Sequence, residues 1–289
     1  MSFVNCQEFA SQNSVPRFVP LNHPRMHVEY TASAHEIETL KERIRQAWTH
    51  LGAVRPHHSV LTNPLFLGQN LDEAASKMFW ASGEGEAESI RLILERHGFT
   101  NLEAKKCIEY GCGVGRVTLP LARIFARVSA YDISTTHLSL AKERASEGGC
   151  DNIEFHLCTE ELDIEDSSCD FFYSRIVFQH NPPPLMRELV QLALRSLRSG
   201  GIAIFQLPTY AIGYRFILEE YMAKDSLLDM EMHCLPQEEI FRISADADCS
   251  MLEVREDGSV GRVGQWISNT FIVRHNAPPE AREHKRQSG

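Results

Sequence analysis

A glycine-rich segment with an acid on each side is the part of the chain whose residue types most directly suggest chemistry. The sequence G-C-G-V-G occupies 111–115, Glu109 stands two residues before it, and Asp132 follows seventeen residues after its last glycine. Glycines let a backbone turn sharply and approach a ligand that a Cβ would push away. An acid at a strand tip can accept hydrogen bonds from both hydroxyls of a ribose. The spacing therefore indicates a nucleoside-binding site.

Two classes of ligand fit such a site, and their charge distinguishes them. A dinucleotide would place its pyrophosphate on a helix start, after a G-x-G-x-x-G turn. S-adenosylmethionine carries no phosphate. The glycines here fall as G-x-G-x-G, and Glu109 would repel a pyrophosphate in a partly dry cleft. The same carboxylate suits a ligand with an ammonium and a sulfonium group, so the residues favour S-adenosylmethionine.

The elements that must position these residues alternate between strand and helix. Apolar patterning predicts a strand at 107–110, a helix from about 116 to 127, and a second strand at 128–131 that ends in Asp132. Three more strands follow, and two strands around a glycine-containing turn close the pattern. These later strands are predicted at 153–158, 170–174, 202–207, 249–256 and 265–274. Five β/α units followed by an antiparallel pair imply a largely parallel sheet.

The segments outside these units have weaker patterns. Helical spacing predicts helices at 35–51, 71–80, 86–97, 135–147, 182–198, 210–226 and 233–243. Gly52 is expected to end the first of them, and 56–70 is expected to be a loop.

This order resembles the seven-stranded, Rossmann-like family of S-adenosylmethionine-dependent methyltransferases, over roughly 90–274. The resemblance implies an α/β fold with a mostly parallel seven-stranded sheet, an antiparallel last strand, helices on both faces and an N-terminal helical cap. It divides the chain into an arm and helical cap over 1–85, and an S-adenosylmethionine-binding domain over 86–276. That domain carries an insertion at about 208–248, and a flexible tail follows it.

The resemblance also assigns cofactor contacts to the loops after the first four strands. The glycine turn and Arg116 would lie along the methionine part, Asp132 would hold the ribose, and Ile133 would flank the adenine. An acid after the third strand would meet the adenine amino group, although a solvated acidic loop is an equal alternative there. The expected contacts are Glu109, Gly111, Cys112, Gly113, Gly115, Arg116, Asp132, Ile133, Glu160, Glu161, Leu162, Ser174 and Arg175.

Methyl transfer to oxygen or nitrogen requires alignment of the reactants and, for a hydroxyl acceptor, removal of a proton. His180 follows the fourth strand on the cofactor side of the sheet and is the candidate general base. The competing interpretation is that His180 only holds the turn before Pro182. Acceptor contacts are expected from the cap and the insertion, with packing as the alternative for several of them. The candidates are Trp80, Tyr210, Tyr214 and His233. No metal site is predicted, because the cap histidines lack a third partner.

Composition excludes several classes of protein. The 289 residues are 43% hydrophobic, which is ample for a packed core, and the formal net charge is −10. An acidic chain is poorly suited to nucleic acid, since phosphate neutralisation needs clustered Lys and Arg. No 18-residue apolar run and no secretion-signal pattern is present, so no membrane association is expected. Eight scattered cysteines fit reduced thiols and a cytoplasmic location.

The sequence therefore predicts a methyltransferase that converts S-adenosylmethionine to S-adenosylhomocysteine. Its acceptor would be an oxygen or nitrogen of a small molecule or a glycan precursor. One alternative is an NAD(P)-dependent oxidoreductase, which the glycine spacing and Glu109 disfavour. Another is a non-catalytic binding protein that keeps the fold, which the intact cofactor residues disfavour. A protein acceptor stays open, and nothing in the chain indicates its oligomeric state.

Overall fold

The centre of the fold is a seven-stranded mixed sheet on which most of the helices pack. The computed structural model describes residues 24–68, 70–158, 164–225, 228–260 and 264–277. The strands are β1 (His27–Val28), β2 (Lys106–Tyr110), β3 (Arg127–Asp132), β4 (Ile153–Leu157), β5 (Cys169–Ser174), β6 (Leu197–Ala211), β7 (Arg215–Phe216), β8 (Cys249–Asp257) and β9 (Trp266–His275). The large sheet has the order β4-β3-β2-β5-β6-β9-β8.

The pairing within this sheet confirms the predicted fold class. Strands β2 to β6 pair in parallel, whereas β9 pairs antiparallel with both β6 and β8. Glu109 on β2 lies opposite Ala130 on β3 and Tyr173 on β5. Because the carboxyl ends of parallel strands share one edge, β2, β3 and β5 deliver Glu109, Asp132 and Ser174 to the same edge.

Helices cover both faces of the sheet and its carboxyl edge. They are α1 (Ala34–Val54), α2 (Pro56–Val60), α3 (Glu73–Arg96), α4 (Thr118–Ala122), α5 (Thr135–Glu147), α6 (Pro183–Arg195), α7 (Leu218–Met222) and α8 (Gln237–Asp246). One buried apolar cluster packs beneath α6 and α8, and another packs beneath α3, α4 and α5. Stacked rings also pair neighbouring strands within the sheet, as where the Phe205 ring of β6 lies 5.5 Å from the Phe271 ring of β9. Within the described residues, no helix has both the length and the apolar character that a bilayer crossing requires.

The N-terminal region contains more helix than predicted. The capping box between Ser33 and Glu36 fixes the start of α1, and the helix continues past Gly52, so the predicted end there is wrong. The segment 56–70 was expected to be a loop, but it contains α2 and a 3₁₀ turn over Pro64–Phe66. The helices predicted at 71–80 and 86–97 are one helix, α3. It crosses the predicted boundary at residue 85, and the division into domains stays a prediction.

Two other elements differ from the predictions. The helix expected over 116–127 is reduced to the five residues of α4, because the glycine turn extends into its first positions. The helix expected over 210–226 is mostly absent, since β6 continues to Ala211 and only α7 is helical. In its place β7 pairs with β1 in a small parallel sheet that joins the N-terminal segment to the insertion.

Two glycines of α3 give a matched test of this packing. A Cβ on Gly83 would lie 1.9 Å from the carbonyl oxygen of Arg116, whereas a Cβ on Gly85 would have no heavy atom within 4 Å. Gly85→Ala should raise the free energy of unfolding by about 0.5–1 kcal/mol through helix propensity. Gly83→Ala should lower it by about 2 kcal/mol, because backbone cannot yield as a side chain does. Urea unfolding followed by circular dichroism measures both, and equal shifts of the same sign would contradict the packing.

Candidate active site

The backbone of the glycine turn after β2 packs closely against side chains from two other parts of the chain. Gly111 and Gly113 have φ angles of 80° and 54°, in the left-handed region. A Cβ would lie 2.2 Å from Val177 Cγ2 if placed on Gly111, and 2.4 Å from Val60 Cγ2 if placed on Gly113. Both positions therefore need glycine for conformation and for space. The turn fits tightly between the loop after β5 and the helical cap, here meaning α1 and α2.

Glu109 is a buried acid with an unused oxygen. Its residue surface is 3% exposed, and its Oε2 has no hydrogen-bond partner among the residues that the structure describes. Burial raises the pKa of Glu109 to about 8, and Thr118 and Arg116 nearby oppose the rise only in part. The expected carboxylate is therefore mostly a neutral carboxyl group near pH 7 until a cation lies beside it.

Asp132 connects the glycine turn to the start of α5. Its Oδ2 accepts a hydrogen bond of 2.8 Å from the Gly113 N–H, and its Oδ1 accepts one of 2.8 Å from the Ser134 N–H. Ser134 itself caps α5 by accepting from the His137 N–H. The ring Nδ1 of His137 lies 3.4 Å from Asp132 Oδ1. Asp132 thus holds the residue that caps α5, while its Oδ2, which accepts only from Gly113 among the described residues, retains a lone pair for a ligand.

A carboxylate on α3 holds the two arginines of the site. Glu86 accepts from Arg116 at 2.7 Å and from Arg175 at 2.8 Å, and the Tyr173 hydroxyl donates to the same group. Its side chain is only 8% exposed. Burial alone raises the pKa of Glu86, but the two arginines and Tyr173 outweigh it and hold the pKa below its ordinary value. The single negative charge of Glu86 therefore offsets one of the two positive charges, while its two oxygens accept hydrogen bonds from both guanidinium groups.

These groups surround a cavity at the carboxyl ends of β2, β3 and β5. Its volume is about 90 Å³, well below the 300–1,000 Å³ typical of small-molecule sites. Ile44 and Trp48 of α1 and Ser59 and Val60 of α2 form the wall that covers it. Of the predicted cofactor residues, those that line it are Glu109, Gly111, Cys112, Gly113, Arg116, Asp132, Ile133 and Arg175.

The remaining predicted cofactor residues lie elsewhere. Ser174 points back into the fold, where its Oγ donates to the Tyr110 carbonyl oxygen at 2.8 Å. A Cβ on Gly115 would meet Leu119 rather than the cavity. Three predicted contacts fall outside the described residues: Glu160, Glu161 and Leu162.

The loop after β5 contains a strained residue. Ile176 has a φ of 56°, which is unfavourable for a β-branched side chain. Its N–H donates to Gln206 Oε1 at 2.9 Å. The Gln206 amide nitrogen in turn donates to Gln179 at 2.9 Å and to Ser268 Oγ at 2.7 Å. Ile176 lines the cavity, so a buried amide network of β6 and β9 holds strained backbone at the site.

His180, the predicted base, lies beside the cavity rather than on its wall. The ring Nδ1 is 2.8 Å from the Glu231 carbonyl oxygen, so Nδ1 carries hydrogen and donates. Its Nε2 is 3.2 Å from the amide nitrogen of Gln179, and its ring packs 4.9 Å from Trp48. Burial lowers the pKa of His180 to about 4. The ring is neutral at pH 7, and Trp48 separates it from the cavity, so its role as base stays a prediction.

The predicted acceptor contacts pack within the insertion and the cap. The Tyr214 hydroxyl lies 3.0 Å from His233 Nδ1, and His233 Nε2 lies 3.4 Å from Glu231 Oε2. Tyr210 donates to the Pro24 carbonyl oxygen at 2.9 Å. None of these three side chains is among the described residues that line the cavity. Their contact with an acceptor stays a prediction.

Trp80 is likewise held by packing. Its ring lies 5.3 Å from the Phe79 ring, and the Arg144 guanidinium carbon lies 4.9 Å from its centroid. Trp80 belongs to the apolar cluster formed with Phe66 and Val114.

Sequence reasoning missed several residues of the site. Glu86 is the clearest, because it meets Arg116 and Arg175 across 30 and 89 positions of the chain and no local spacing reveals it. Trp48, His137 and Asn181 also line the cavity. For His137 a signal was available, since it falls five residues after Asp132 and one turn into the predicted helix.

Known methyltransferases resemble this chain in sequence. A family model described as a methyltransferase domain matches residues 107–201. A ubiquinone biosynthesis O-methyltransferase of Cupriavidus pinatubonensis is 25% identical over 233 residues, which cover 78% of this chain and 80% of that relative. One from Paracidovorax citrulli is 29% identical over 110 residues, which cover 37% of this chain and 45% of that protein. Uracil-C(5)-methyltransferases of RNA also match, over 113 and 56 residues.

Solved structures agree with the fold. Magnesium protoporphyrin IX methyltransferase from Synechocystis PCC 6803, crystallised with bound S-adenosylhomocysteine, superposes with a TM-score of 0.57. It is 18% identical, and the match covers 82% of this chain and all of that one. A [4+2]-cyclase, SpnF, superposes with a TM-score of 0.52, so the fold alone does not fix the reaction.

The unusual burial of Glu109 gives a pH-dependent prediction. Its folded-state pKa is about 8 and its ordinary value is 4.5, so its contribution to stability is complete below pH 4.5 and lost as pH rises through 8. Glu109→Gln removes this titration. Relative to that variant, the wild-type protein without ligand should lose up to about 4 kcal/mol of unfolding free energy between about pH 5 and pH 8. Urea unfolding of both proteins at the two pH values measures the difference. Parallel pH profiles would contradict the assignment.

Proposed function

We propose that this chain, which resembles the seven-stranded, Rossmann-like S-adenosylmethionine-dependent methyltransferases, transfers a methyl group to an oxygen or nitrogen of a small molecule. The observation that carries this proposal is the placement of Glu109 and Asp132 on one cavity at the tips of adjacent strands. When bound, S-adenosylmethionine supplies the activated methyl group, and the protein's task is to align the reactants.

The residues present fit that cofactor. The unpartnered Oε2 of Glu109 offers a hydrogen-bond acceptor to an ammonium group. Gly111 and Gly113 remove the side chains that would otherwise keep a ligand from the turn. Asp132 retains acceptor capacity for ribose hydroxyls, and Ile133 offers an apolar surface to a base. Each group therefore matches one part of a cationic nucleoside.

The electrostatics of the cavity disfavour the oxidoreductase alternative. A pyrophosphate would need unmatched positive charge or free helical N–H groups. Arg116 and Arg175 both donate to Glu86, the neutral carboxyl group of Glu109 supplies no positive charge, and the Asp132 carboxylate would repel the phosphates. We therefore retain the methyltransferase assignment over a nicotinamide-dependent one.

For the acceptor we propose an atom type and a broad class of molecule. The two ubiquinone biosynthesis relatives carry O-methyltransferase names, which supports oxygen as the acceptor atom and a small molecule as the substrate. A glycan precursor remains within this proposal. The net charge of −10 supports the exclusion of nucleic acid, although RNA methyltransferases are among the relatives. The free thiols of the described cysteines, most of them buried, support a reducing and hence cytoplasmic location.

The assignment of the ribose to Asp132 is tested by binding. Wild-type protein should bind S-adenosylhomocysteine, and Asp132→Ala should weaken that binding by about 100-fold or more, because charged hydrogen bonds to the ribose are lost. Asp132→Asn keeps the shape and should fall between them. Asp151→Ala, an exposed acid on the loop before β4, is the matched control. Titration calorimetry measures all four proteins, and unchanged affinity in Asp132→Ala would refute the assignment. If NADH raises the unfolding temperature of the wild-type protein and S-adenosylhomocysteine does not, the oxidoreductase alternative would be favoured.

The protonation state of His180 is also open to direct measurement. With a pKa of about 4, its ring should stay neutral, with hydrogen on Nδ1, down to about pH 5.5, where a solvated histidine is mostly charged. Long-range ¹H–¹⁵N NMR of the histidine rings reports both the charge and the tautomer. His180→Gln identifies the signal by its disappearance. A His180 ring that becomes charged near pH 6.5 would contradict its burial and its hydrogen bond to Glu231.

A further inference from the structure

A chain of hydrogen-bonding side chains runs from the predicted ribose site to the helical cap. His137 Nδ1 lies 3.4 Å from Asp132 Oδ1, and His137 Nε2 lies 3.0 Å from Ser59 Oγ on α2. All three residues are buried, with exposures of 7% for Asp132, 2% for His137 and 3% for Ser59. A single imidazole thus bridges the acid on the sheet edge and a hydroxyl of the cap.

The cap makes a second close contact at the same place. A Cβ on Gly52 of α1 would lie 2.2 Å from Ser134 Oγ and 3.2 Å from His137 Nε2. Both cap helices therefore rest on the first turn of α5, which is the turn that Asp132 and Ser134 cap. This explains why α1 continues through a glycine: any side chain at 52 would separate the cap from α5.

The cap also controls access to the cavity. Ile44, Trp48, Ser59 and Val60 close it to about 90 Å³. A neighbouring cavity of about 980 Å³ shares Tyr110, Ile133 and Asn181 with it, so a nucleoside with an amino acid side arm can extend beyond it. The part between Glu109 and Asp132 lies under the cap, and outward movement of the cap would open that part for entry. Any contact between the cap and a ligand-binding residue can then link occupancy to closure.

We propose that His137 is a positioning residue that couples occupancy of Asp132 to closure of the cap through Ser59. A ligand that fixes the Asp132 carboxylate fixes the imidazole beside it, and the imidazole in turn presents Nε2 to Ser59. In the closed state the cap gains this hydrogen bond, and in the open state His137 loses a buried partner. Coupling between two sites is reciprocal: if the ligand favours closure of the cap by some factor, closure favours ligand binding by the same factor. Loss of the Ser59 contact must therefore weaken ligand binding by that factor. The inference rests on the proposed function, because it takes S-adenosylmethionine as the ligand.

The experiment pairs affinity with a measure of cap motion. Calorimetry gives the dissociation constant of S-adenosylhomocysteine, and amide hydrogen exchange with and without that ligand gives the protection of 34–60. Ser59→Ala removes the cap side of the link. His137→Asn keeps a nitrogen near the position of Nδ1, and so the contact with Asp132, but cannot reach Ser59. Ser59 Oγ also lies 3.1 Å from the Pro56 carbonyl oxygen, one turn back on α2. Ser89→Ala is the control, because the Ser89 hydroxyl likewise donates to a helical carbonyl oxygen but lies on an exposed face of α3.

The coupling predicts one pattern for both linked variants. Ser59→Ala and His137→Asn should each weaken binding by about fivefold to tenfold, the equivalent of one buried hydrogen bond. Each should also lose most of the ligand-induced protection of 34–60 while the protection of the glycine turn persists. The double variant should be no weaker than either single variant, since both changes break one link. Ser89→Ala should match the wild type.

The remaining outcomes overturn the inference. Weakened binding with full cap protection would place Ser59 and His137 in direct contact with the ligand instead. If Ser59→Ala and His137→Asn bind the ligand normally and show wild-type protection of 34–60, these contacts only pack the cap against α5 and do not couple it to the ligand. If the wild-type protein itself fails to bind S-adenosylhomocysteine, the proposed function falls and the coupling falls with it. Thermal unfolding of each variant confirms that the proteins compared are folded.

Discussion

The burial of an unmatched carboxyl group at the end of β2 is the constraint on which the site depends. Moving an ionised acid out of water costs several kcal/mol unless a partner compensates it, and Glu109 has one oxygen without a partner among the described residues. The protein tolerates it by keeping it protonated. A cation that enters the cavity supplies the missing partner and lets the group ionise, so the site is built to be completed by positive charge.

Glu86 limits how far the two arginines near Glu109 reduce the preference of the site for a cation. Arg116 lies close enough to oppose the raised pKa of Glu109, yet its guanidinium donates to Glu86 and Ser82. Arg175 is bound by the same Glu86. By accepting from both guanidinium groups, Glu86 offsets one of their two positive charges and directs N–H donors of both towards α3. An anion on α3 thus lowers the positive charge that Arg116, 30 positions later in the chain, brings to the cavity.

The sequence identified those parts of the fold and site whose signals are local. The strand, the glycine turn and Asp132 are all contained in 107–132, so their order could be predicted from residue types alone. The predicted helix boundaries were wrong where contact with a residue distant in the chain outweighed the local preference of glycine to end a helix. Gly52 was expected to end a helix but is a contact point inside α1, against Ser134. Gly83, which falls between two predicted helices, is likewise a contact point inside α3, against Arg116. Glu86 and Ser59 could not be predicted as site residues, because their partners come from other elements.

The antiparallel strand β9 supports the site through a hydrogen-bond network, although it lies at the far side of β6 from the strands that carry the site residues. Ser268 on β9 fixes the Gln206 amide on β6, and Gln206 holds the N–H of Ile176 in its strained turn. A left-handed β-branched residue costs about 1–2 kcal/mol, which persists only where surrounding contacts determine the backbone. The pairing of β9 with β6 provides that support, because it places Ser268 opposite Pro208, two residues beyond Gln206. The last strand to be read from the sequence therefore helps to shape the cavity wall opposite the glycine turn.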